Sequence, residues 1–260
     1  MAAVEAALGA ARAAGRPILV TYVTGGIRED WADLLAAMID AGADAVEIGL
    51  PFSDPMLDGP IIQEASAAAI ARGATFSGIL TGLRDTAWGV PLIAMTYANH
   101  AYSRGLADYC NALASAGIGG TIIPDLPAGE AGDYLATAAG AGLDATLMVA
   151  PATSEQQIRF IAERSRGFVY AMSVMATTGP ARGRDDATGW AVADLARRHS
   201  SRPVLIGFGV DTPARAGAAA GHADGVIVAS ALMRQVLGGA TAGDISRAVA
   251  GLRRALDAVA

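Results

Sequence analysis

Eight short apolar runs, each followed by a turn and an Ala- and Leu-rich helical segment, constrain the fold of this chain more than any other feature. The predicted strands are 18–23, 45–49, 92–96, 121–123, 145–149, 168–172, 204–206 and 226–228. Strands that alternate with helices are typical of a parallel sheet covered on both faces. The pattern therefore predicts an α/β fold.

The helical segments support closure of that sheet into a barrel. The predicted helices are 30–41, 61–72, 106–116, 129–141, 154–165, 187–199, 213–220 and 244–259, with an extra N-terminal helix at 2–14 that caps the barrel bottom. Eight strand–helix units in 260 residues predict a (β/α)8 TIM barrel, with residues 1–260 as a single domain. An open doubly wound sheet is the alternative, but no G-x-G-x-x-G follows the first strand.

Composition narrows the class of protein. The chain is 53% hydrophobic and 17% charged, which suits one large core, and its net charge of −6 argues against a nucleic-acid surface. No apolar run is long enough to span a membrane, and the Ala-rich N-terminus is unlike a signal peptide. These features predict a soluble cytoplasmic protein.

The basic residues of the chain are all arginines. All 19 Lys and Arg residues are Arg, so no lysine is available for a Schiff base with pyridoxal phosphate. The three histidines are scattered without the spacing of metal ligands. The single Cys110, in a helical run, is predicted to be a small buried apolar residue. The sequence therefore predicts chemistry without a metal or a cofactor in this chain.

The segment 44–63, DAVEIGLPFSDPMLDGPIIQ, carries two carboxylates of particular interest. Glu47 interrupts an apolar strand, where an ionised group is costly unless it is paired or functional. Asp58 follows on the Pro- and Gly-rich loop. One carboxylate that is buried and one that is more exposed to solvent suit a two-carboxylate acid–base site. Alternatively, Glu47 makes a structural pair and Asp58 is a solvated turn residue.

Aromatic and sulfur-containing side chains lie near the ends of several predicted strands, where barrel enzymes place their active sites. They are Tyr22, Met95, Tyr97, Met148 and Tyr170. Together they predict an apolar pocket for an aromatic ring, with the hydroxyl-bearing rings favouring a pocket. The alternative for each is an ordinary place in a barrel-core layer.

The last two strands end in Gly207-Phe208-Gly209 and in Ala229-Ser230, each before a helix. In barrels, the loops after the seventh and eighth strands commonly bind phosphate through backbone N–H groups and a helix N-terminus. Glycine permits close approach of the backbone to a ligand, although it also simply ends strands. The two loops together predict a phosphate site at Gly207, Gly209, Ala229 and Ser230.

Several of these segments resemble one protein family. EIGLPFSDPMLDGPIIQ closely resembles the signature segment of the tryptophan synthase alpha chain. MTYAN, GTIIPDLPAGE, GFG and DGVIVAS are similar to other strand ends of that family. The resemblance covers nearly the whole chain and implies the same barrel fold.

The resemblance implies retro-aldol cleavage of indole-3-glycerol phosphate to indole and glyceraldehyde 3-phosphate. It makes Glu47 and Asp58 the catalytic pair, and Thr178 the loop residue that closes over the site and touches the aspartate. The implied phosphate contacts are Gly179, Gly209 and Ser230. It also implies no cofactor in this chain, and a partner beta subunit that carries pyridoxal phosphate in an alpha2beta2 heterotetramer.

Departures from the family pattern leave other functions open. His100 follows Asn99 where many members have Pro, and Ala229 replaces the usual Gly before Ser230. One alternative is a free-standing lyase, or a paralogue in a specialised pathway, that works without a beta subunit. Another is a non-catalytic barrel that acts as an allosteric partner of the beta chain, which the intact Glu47, Asp58 and Thr178 argue against.

Overall fold

The strands form a closed parallel barrel. The structure, a computed structural model, describes residues 4–172, 186–207 and 209–259. Its strands pair in chain order, and β8 pairs with β1. They are β1 Ile18–Thr24, β2 Ala45–Gly49, β3 Leu92–Met95, β4 Gly120–Ile122, β5 Asp144–Val149, β6 Val169–Met172, β7 Val204–Gly207 and β8 Gly225–Val228. The predicted TIM barrel is confirmed, and the alternative of an open doubly wound sheet is wrong.

Helices surround the barrel. Those within the described residues are α1 Val4–Ala13, α2 Trp31–Asp40, α3 Pro60–Ala71, α4 Phe76–Leu83, α5 Ala98–Tyr102, α6 Leu106–Ser115, α7 Gly132–Gly140, α8 Glu155–Arg164, α9 Asp186–His199, α10 Pro213–Ala220, α11 Ser230–Leu237 and α12 Ala242–Asp257. Most of the predicted bounds agree within two residues. The predicted start of α7 is three residues early, because the N–H of Glu130 closes a turn onto the carbonyl of Pro127 at 2.9 Å.

The sequence analysis missed α4. Its sequence FSGILTGL contains two glycines and two β-branched residues, which lower helix propensity. The helix forms because it buries one apolar face, led by Ile79 and Leu83, and because the Thr75 side chain accepts the N–H of Gly78 at 3.1 Å. Tertiary packing therefore outweighs local propensity here.

Helix α1 closes the amino-terminal end of the barrel. Its Val4, Leu8 and Ala11 side chains are buried in the cluster of apolar residues that fills the barrel interior. The N–H of Glu5 donates to the Asp144 carboxylate at 2.9 Å, and Arg202 pairs with Glu5 at 2.9 Å. The predicted helical cap is confirmed, and it leaves the opposite end of the barrel open for a site.

A second, larger apolar cluster lies between the strands and the surrounding helices. Cys110 belongs to it on α6, and burial raises the pKa of its thiol to about 11. The prediction of a small buried cysteine is therefore confirmed, and the raised pKa disfavours the reactive thiolate form. Across the described ranges, we find no helix that is both long and apolar enough to cross a membrane.

Candidate active site

Glu47 lies in the middle of β2, paired in register with Tyr22 on β1 and Ile93 on β3. Its side chain is only 1% exposed, and its Oε1 atom has no hydrogen-bond partner among the described residues. Burial raises the pKa of this carboxyl group to about 8. An unpaired buried carboxyl group is costly to the fold. Because its side chain faces a cavity that the loops at the open end of the barrel also line, its burial indicates a chemical role.

Asp58 lies on the loop between β2 and α3. Its N–H donates to the Pro55 carbonyl at 3.0 Å, and its own carbonyl accepts the side chain of Gln63 at 2.8 Å. The Tyr97 hydroxyl donates to its Oδ2 at 3.1 Å. Burial raises the pKa of Asp58 to about 6, although the bond from Tyr97 opposes this rise. The two carboxyl groups thus have different pKa values, as acid–base partners require.

A narrow cavity at the carboxyl end of the barrel connects the two carboxyl groups. It is lined by Tyr22, Glu47, Asp58, Ile62, Met95, Tyr170, Gly209, Val210, Ile227, Ala229 and Ser230. Its volume is about 30 Å³, enough for one or two water molecules. An aromatic ligand must therefore displace side chains to enter.

Two tyrosines, Tyr22 and Tyr170, line this cavity. A Cβ atom on Gly49 would stand 1.8 Å from the Tyr22 hydroxyl, and one on Gly207 would stand 2.1 Å from the Tyr170 hydroxyl. Each ring therefore lies against a strand position, 49 or 207, where only glycine leaves room for it. Burial raises the pKa of both phenols, and the nearby Glu47 and Asp58 add to the effect. Both phenols are therefore protonated and uncharged at neutral pH, and their rings form neutral walls of the cavity.

The predicted aromatic pocket is only partly assembled in one place. Tyr22, Met95 and Tyr170 line the cavity of Glu47. Tyr97 lies beside it, in a small neighbouring space that Asp58 also lines. Met148 lines a different cavity of about 440 Å³, together with residues that include Asp125 and Phe160. Among the described residues, Met148 is therefore grouped with the side chains of this other cavity rather than with Tyr22, Met95 and Tyr170.

The predicted phosphate loops meet at the rim of the same cavity. Gly209 has φ +82°, a left-handed conformation that favours glycine, whereas Ala229 has φ −113°. Helix α11 begins at Ser230, and the first N–H groups of a helix have no partner within it. Gly207 lies against Tyr170 instead of at the rim. Thr178 and Gly179 lie outside the described residues.

Sequence analysis missed several residues of the site. Ile62, Val210 and Ile227 line the cavity, but isolated aliphatic residues carry no signal of function. Phe52 stacks on Tyr97 with ring centroids 5.2 Å apart, and also on His100 at 6.3 Å. The aromatic residue in PFSDP and the unusual His100 were signals that could have indicated this stack.

The donors that the structure describes in the site do not suit a metal ion. In the part of the chain that the structure describes, no group of three or more His, Cys, Asp and Glu side chains is arranged to hold one. The available chemistry is proton transfer by Glu47 and Asp58 between neutral aromatic walls, with backbone N–H groups at the rim. Fold and site together define a TIM barrel whose cavity holds two buried carboxyl groups suited to acid–base chemistry.

Comparison with known proteins identifies the family. The model of the tryptophan synthase alpha chain family matches residues 8–253. The alpha chain of Halorhodospira halophila is 40% identical over 257 residues, covering 95% of this chain and 94% of the relative. The alpha chain of Laribacter hongkongensis is 37% identical, covering 98% of this chain and 99% of the relative. This chain belongs to the tryptophan synthase alpha chain family.

Solved structures agree. Tryptophan synthase of Mycobacterium tuberculosis contains a chain with a TM-score of 0.89 and 32% identity, covering 98% of this chain and 99% of that one. The tryptophan synthase alpha subunit of Legionella pneumophila gives a TM-score of 0.87 at 28% identity, covering 99% of both chains.

Proposed function

We propose that this chain is the alpha subunit of tryptophan synthase and that it cleaves indole-3-glycerol phosphate to indole and glyceraldehyde 3-phosphate. The observation that carries the proposal is the buried Glu47, whose pKa is raised to about 8 and which shares a narrow cavity with Asp58. A group with this pKa carries a proton at neutral pH and gives it up readily.

The first step is protonation of the indole carbon that bears the glycerol chain. Glu47 donates the proton, and the ring nitrogen takes up the developing positive charge. Asp58, as a carboxylate, accepts the hydrogen bond of the ring N–H and stabilises that charge. Because its pKa is about 6, Asp58 is largely ionised at neutral pH, as this role requires.

The second step breaks the carbon–carbon bond. The Glu47 carboxylate left by the first step removes the proton of the side-chain hydroxyl next to the ring. The carbon–oxygen double bond of the aldehyde forms, and the electrons of the broken carbon–carbon bond return to the ring. Indole and the aldehyde leave, and Glu47 is protonated again for the next turnover.

The rim of the cavity supplies the phosphate site in this proposal. Backbone N–H groups at Gly209 and at the start of α11 hold the phosphate, helped by the helix dipole. Ser230 adds a hydroxyl donor. Tyr22, Met95 and Tyr170 surround the indole ring after the cavity widens. Thr178 and Gly179 remain assigned to loop closure and phosphate by family resemblance.

A beta subunit is the expected partner. Met56 and Leu57, immediately before Asp58, are 73% and 41% exposed. Exposed large apolar side chains on a catalytic loop are typical of a contact surface. The beta subunit would supply the pyridoxal phosphate chemistry and receive the indole. A cytoplasmic location is part of the proposal, because a charged phosphate ester does not cross a bilayer unaided.

The test is steady-state release of indole from indole-3-glycerol phosphate, with and without a cognate beta subunit. Glu47→Gln and Asp58→Asn should each lower turnover by about 10²–10⁴-fold, the usual contribution of general acid–base groups. Near-normal release by Glu47→Gln would refute the mechanism. Full activity that does not respond to the beta subunit would support a free-standing lyase instead.

A further inference from the structure

The Tyr97 hydroxyl makes two hydrogen bonds to the loop that carries Asp58. It accepts the N–H of Leu57 at 3.0 Å and donates to Asp58 Oδ2 at 3.1 Å. One oxygen atom therefore contacts both the backbone and the carboxylate of adjacent residues. Such a pair of bonds fixes the position of the loop and the direction of the carboxylate together.

The ring of Tyr97 is itself held in place. The residue is 4% exposed, and Phe52 from the same catalytic loop stacks on its ring with an interplanar angle of 19°. His100 stacks on Phe52 in turn, and its Nδ1 atom lies 3.1 Å from the Thr96 hydroxyl. The Thr96 hydroxyl also donates to the carbonyl of Leu50 at 3.3 Å. Both ends of the loop are therefore tied to the segment after β3.

The stack adds no charge to the site. Burial and the positive charge of Arg104 lower the pKa of His100 to about 4, so its imidazole is neutral at neutral pH. The titratable groups that face Asp58 from the described elements are Tyr22 on β1, Glu47 on β2, Tyr97 after β3 and Tyr170 on β6. Among them, Tyr97 donates a hydrogen bond to the Asp58 carboxylate at 3.1 Å.

We propose that Tyr97 is a positioning residue that aims the Asp58 carboxylate into the cavity and keeps it ionised, and this inference rests on the proposed function of Asp58. It assigns Tyr97 a role through Asp58 rather than through contact with the indole ring. A hydrogen bond to a carboxylate favours its charged form. Loss of the hydroxyl should therefore raise the pKa of Asp58 above its present value of about 6.

The experiment compares Tyr97→Phe with Tyr134→Phe. Both changes keep a buried ring and remove one hydroxyl, but the Tyr134 hydroxyl bonds to Thr121, which also bonds to Tyr109 at 3.1 Å. Two quantities are measured for each variant: kcat/KM for indole release between pH 5 and 9, and the titration of the 13C-labelled Asp58 carboxyl group in the free protein. Phenylalanine fits the space of tyrosine, so both variants should fold.

In Tyr97→Phe, the acid limb of kcat/KM and the Asp58 titration should both move from about pH 6 to about pH 7 or above, since a hydrogen bond to a charged group is worth about tenfold or more in the ionisation equilibrium. At pH 6 the variant should then retain roughly a tenth of its own plateau value. Tyr134→Phe should leave both midpoints in place.

The possible results separate the two proposals. If Tyr97→Phe loses activity equally at every pH while the Asp58 titration stays unchanged, Tyr97 only fills space and the inference is overturned. If the Asp58 titration moves but no form of the protein releases indole, with or without a beta subunit, the positioning role stands and the proposed reaction fails.

Discussion

The Tyr22 ring fills the space that a side chain on Gly49 would need. A Cβ atom at position 49 would stand 1.8 Å from the Tyr22 hydroxyl oxygen and 2.4 Å from the ring carbon that bears it. Gly49 pairs with Thr24, two residues beyond Tyr22 on β1. Because Tyr22 itself pairs with Glu47, the ring crosses diagonally to β2 and reaches Gly49, two residues beyond Glu47.

This contact predicts that Gly49→Ala damages the site. The methyl group must push the Tyr22 ring into a cavity of only about 30 Å³. We expect kcat/KM for indole release to fall at least about tenfold, and the free energy of unfolding to drop by about 1–3 kcal/mol, the usual cost of overpacking. Steady-state kinetics and urea unfolding measure the two effects.

Gly140→Ala is the matched control. Gly140 is exposed at the end of α7, and a Cβ atom there would meet nothing within 4 Å. Alanine in place of a helical glycine should keep activity and raise stability by about 0.5–1 kcal/mol. If Gly49→Ala behaves like Gly140→Ala, Tyr22 is free to move and does not form a fixed wall.

The pH dependence of kcat/KM should be bell-shaped. In the proposed mechanism, the active form of the free enzyme has Asp58 ionised and Glu47 protonated. Activity should fall as pH drops below about 6, where Asp58 gains a proton, and as pH rises above about 8, where Glu47 loses one. Indole release at saturating and at low substrate separates the limbs of kcat from those of kcat/KM. A kcat/KM that keeps rising to pH 10 would contradict the role of Glu47 as the initial acid.

The same pKa of Glu47 predicts a stability effect with a definite sign. In the unfolded chain this carboxyl group ionises near its ordinary pKa of 4.5, whereas in the fold it ionises near 8. Between these values the folded state binds the extra proton, so the contribution of Glu47 to stability falls as pH rises through this window. The accumulated loss at pH 8 is on the order of 4 kcal/mol.

Glu47→Gln removes that loss, because the amide stays neutral like the buried acid. Its free energy of unfolding should equal that of the parent near pH 4.5 and exceed it by a few kcal/mol at pH 8. Urea unfolding at both pH values measures the difference, and the exposed Glu130→Gln serves as the control with little effect at either. An equal difference at pH 4.5 and pH 8 would show that burial does not set the ionisation of Glu47.

The sequence alone predicted the barrel because the strand signal depends on short apolar runs between turns. All eight strands lie where those runs predict, and β2 begins and ends at the predicted residues. The helix α4 was missed because its residues are poor helix formers, and only burial against neighbouring elements stabilises it. Burial of this kind depends on the whole fold, which local patterns do not encode.

Only part of the candidate site could be predicted from the sequence. Glu47 stood out because a charged residue inside an apolar strand breaks the local pattern. In contrast, nothing in the sequence places the Tyr97 hydroxyl next to Asp58, because that contact joins residues 39 apart on separate loops. Met148 shows a different difficulty. It lies near the end of β5 as predicted, but its side chain lines another cavity. The predicted strand ends show which residues lie near the open end of the barrel, but they do not show which way each side chain points.

Ala229 gives a prediction about the phosphate rim. This residue stands where the family usually has glycine, and its φ of −113° lies well outside the left-handed region. Alanine therefore carries no left-handed strain, and its N–H remains available to a phosphate. Ala229→Gly should change the KM for indole-3-glycerol phosphate less than about threefold, well under the tenfold change that about 1.4 kcal/mol produces. It should lower stability by about 0.4–1 kcal/mol, because glycine has more freedom in the unfolded chain.

Gly209→Ala, at another position that lines the same cavity, should behave differently. With φ +82°, position 209 takes a conformation that costs alanine about 1–2 kcal/mol. If the loop relaxes to relieve that strain, its N–H groups move away from the phosphate and KM rises. Steady-state kinetics on both variants, with urea unfolding, compare the two positions directly.

A tenfold or larger drop in KM for Ala229→Gly would mean that the alanine methyl group crowds the phosphate, and would favour a paralogue with a different phosphorylated substrate.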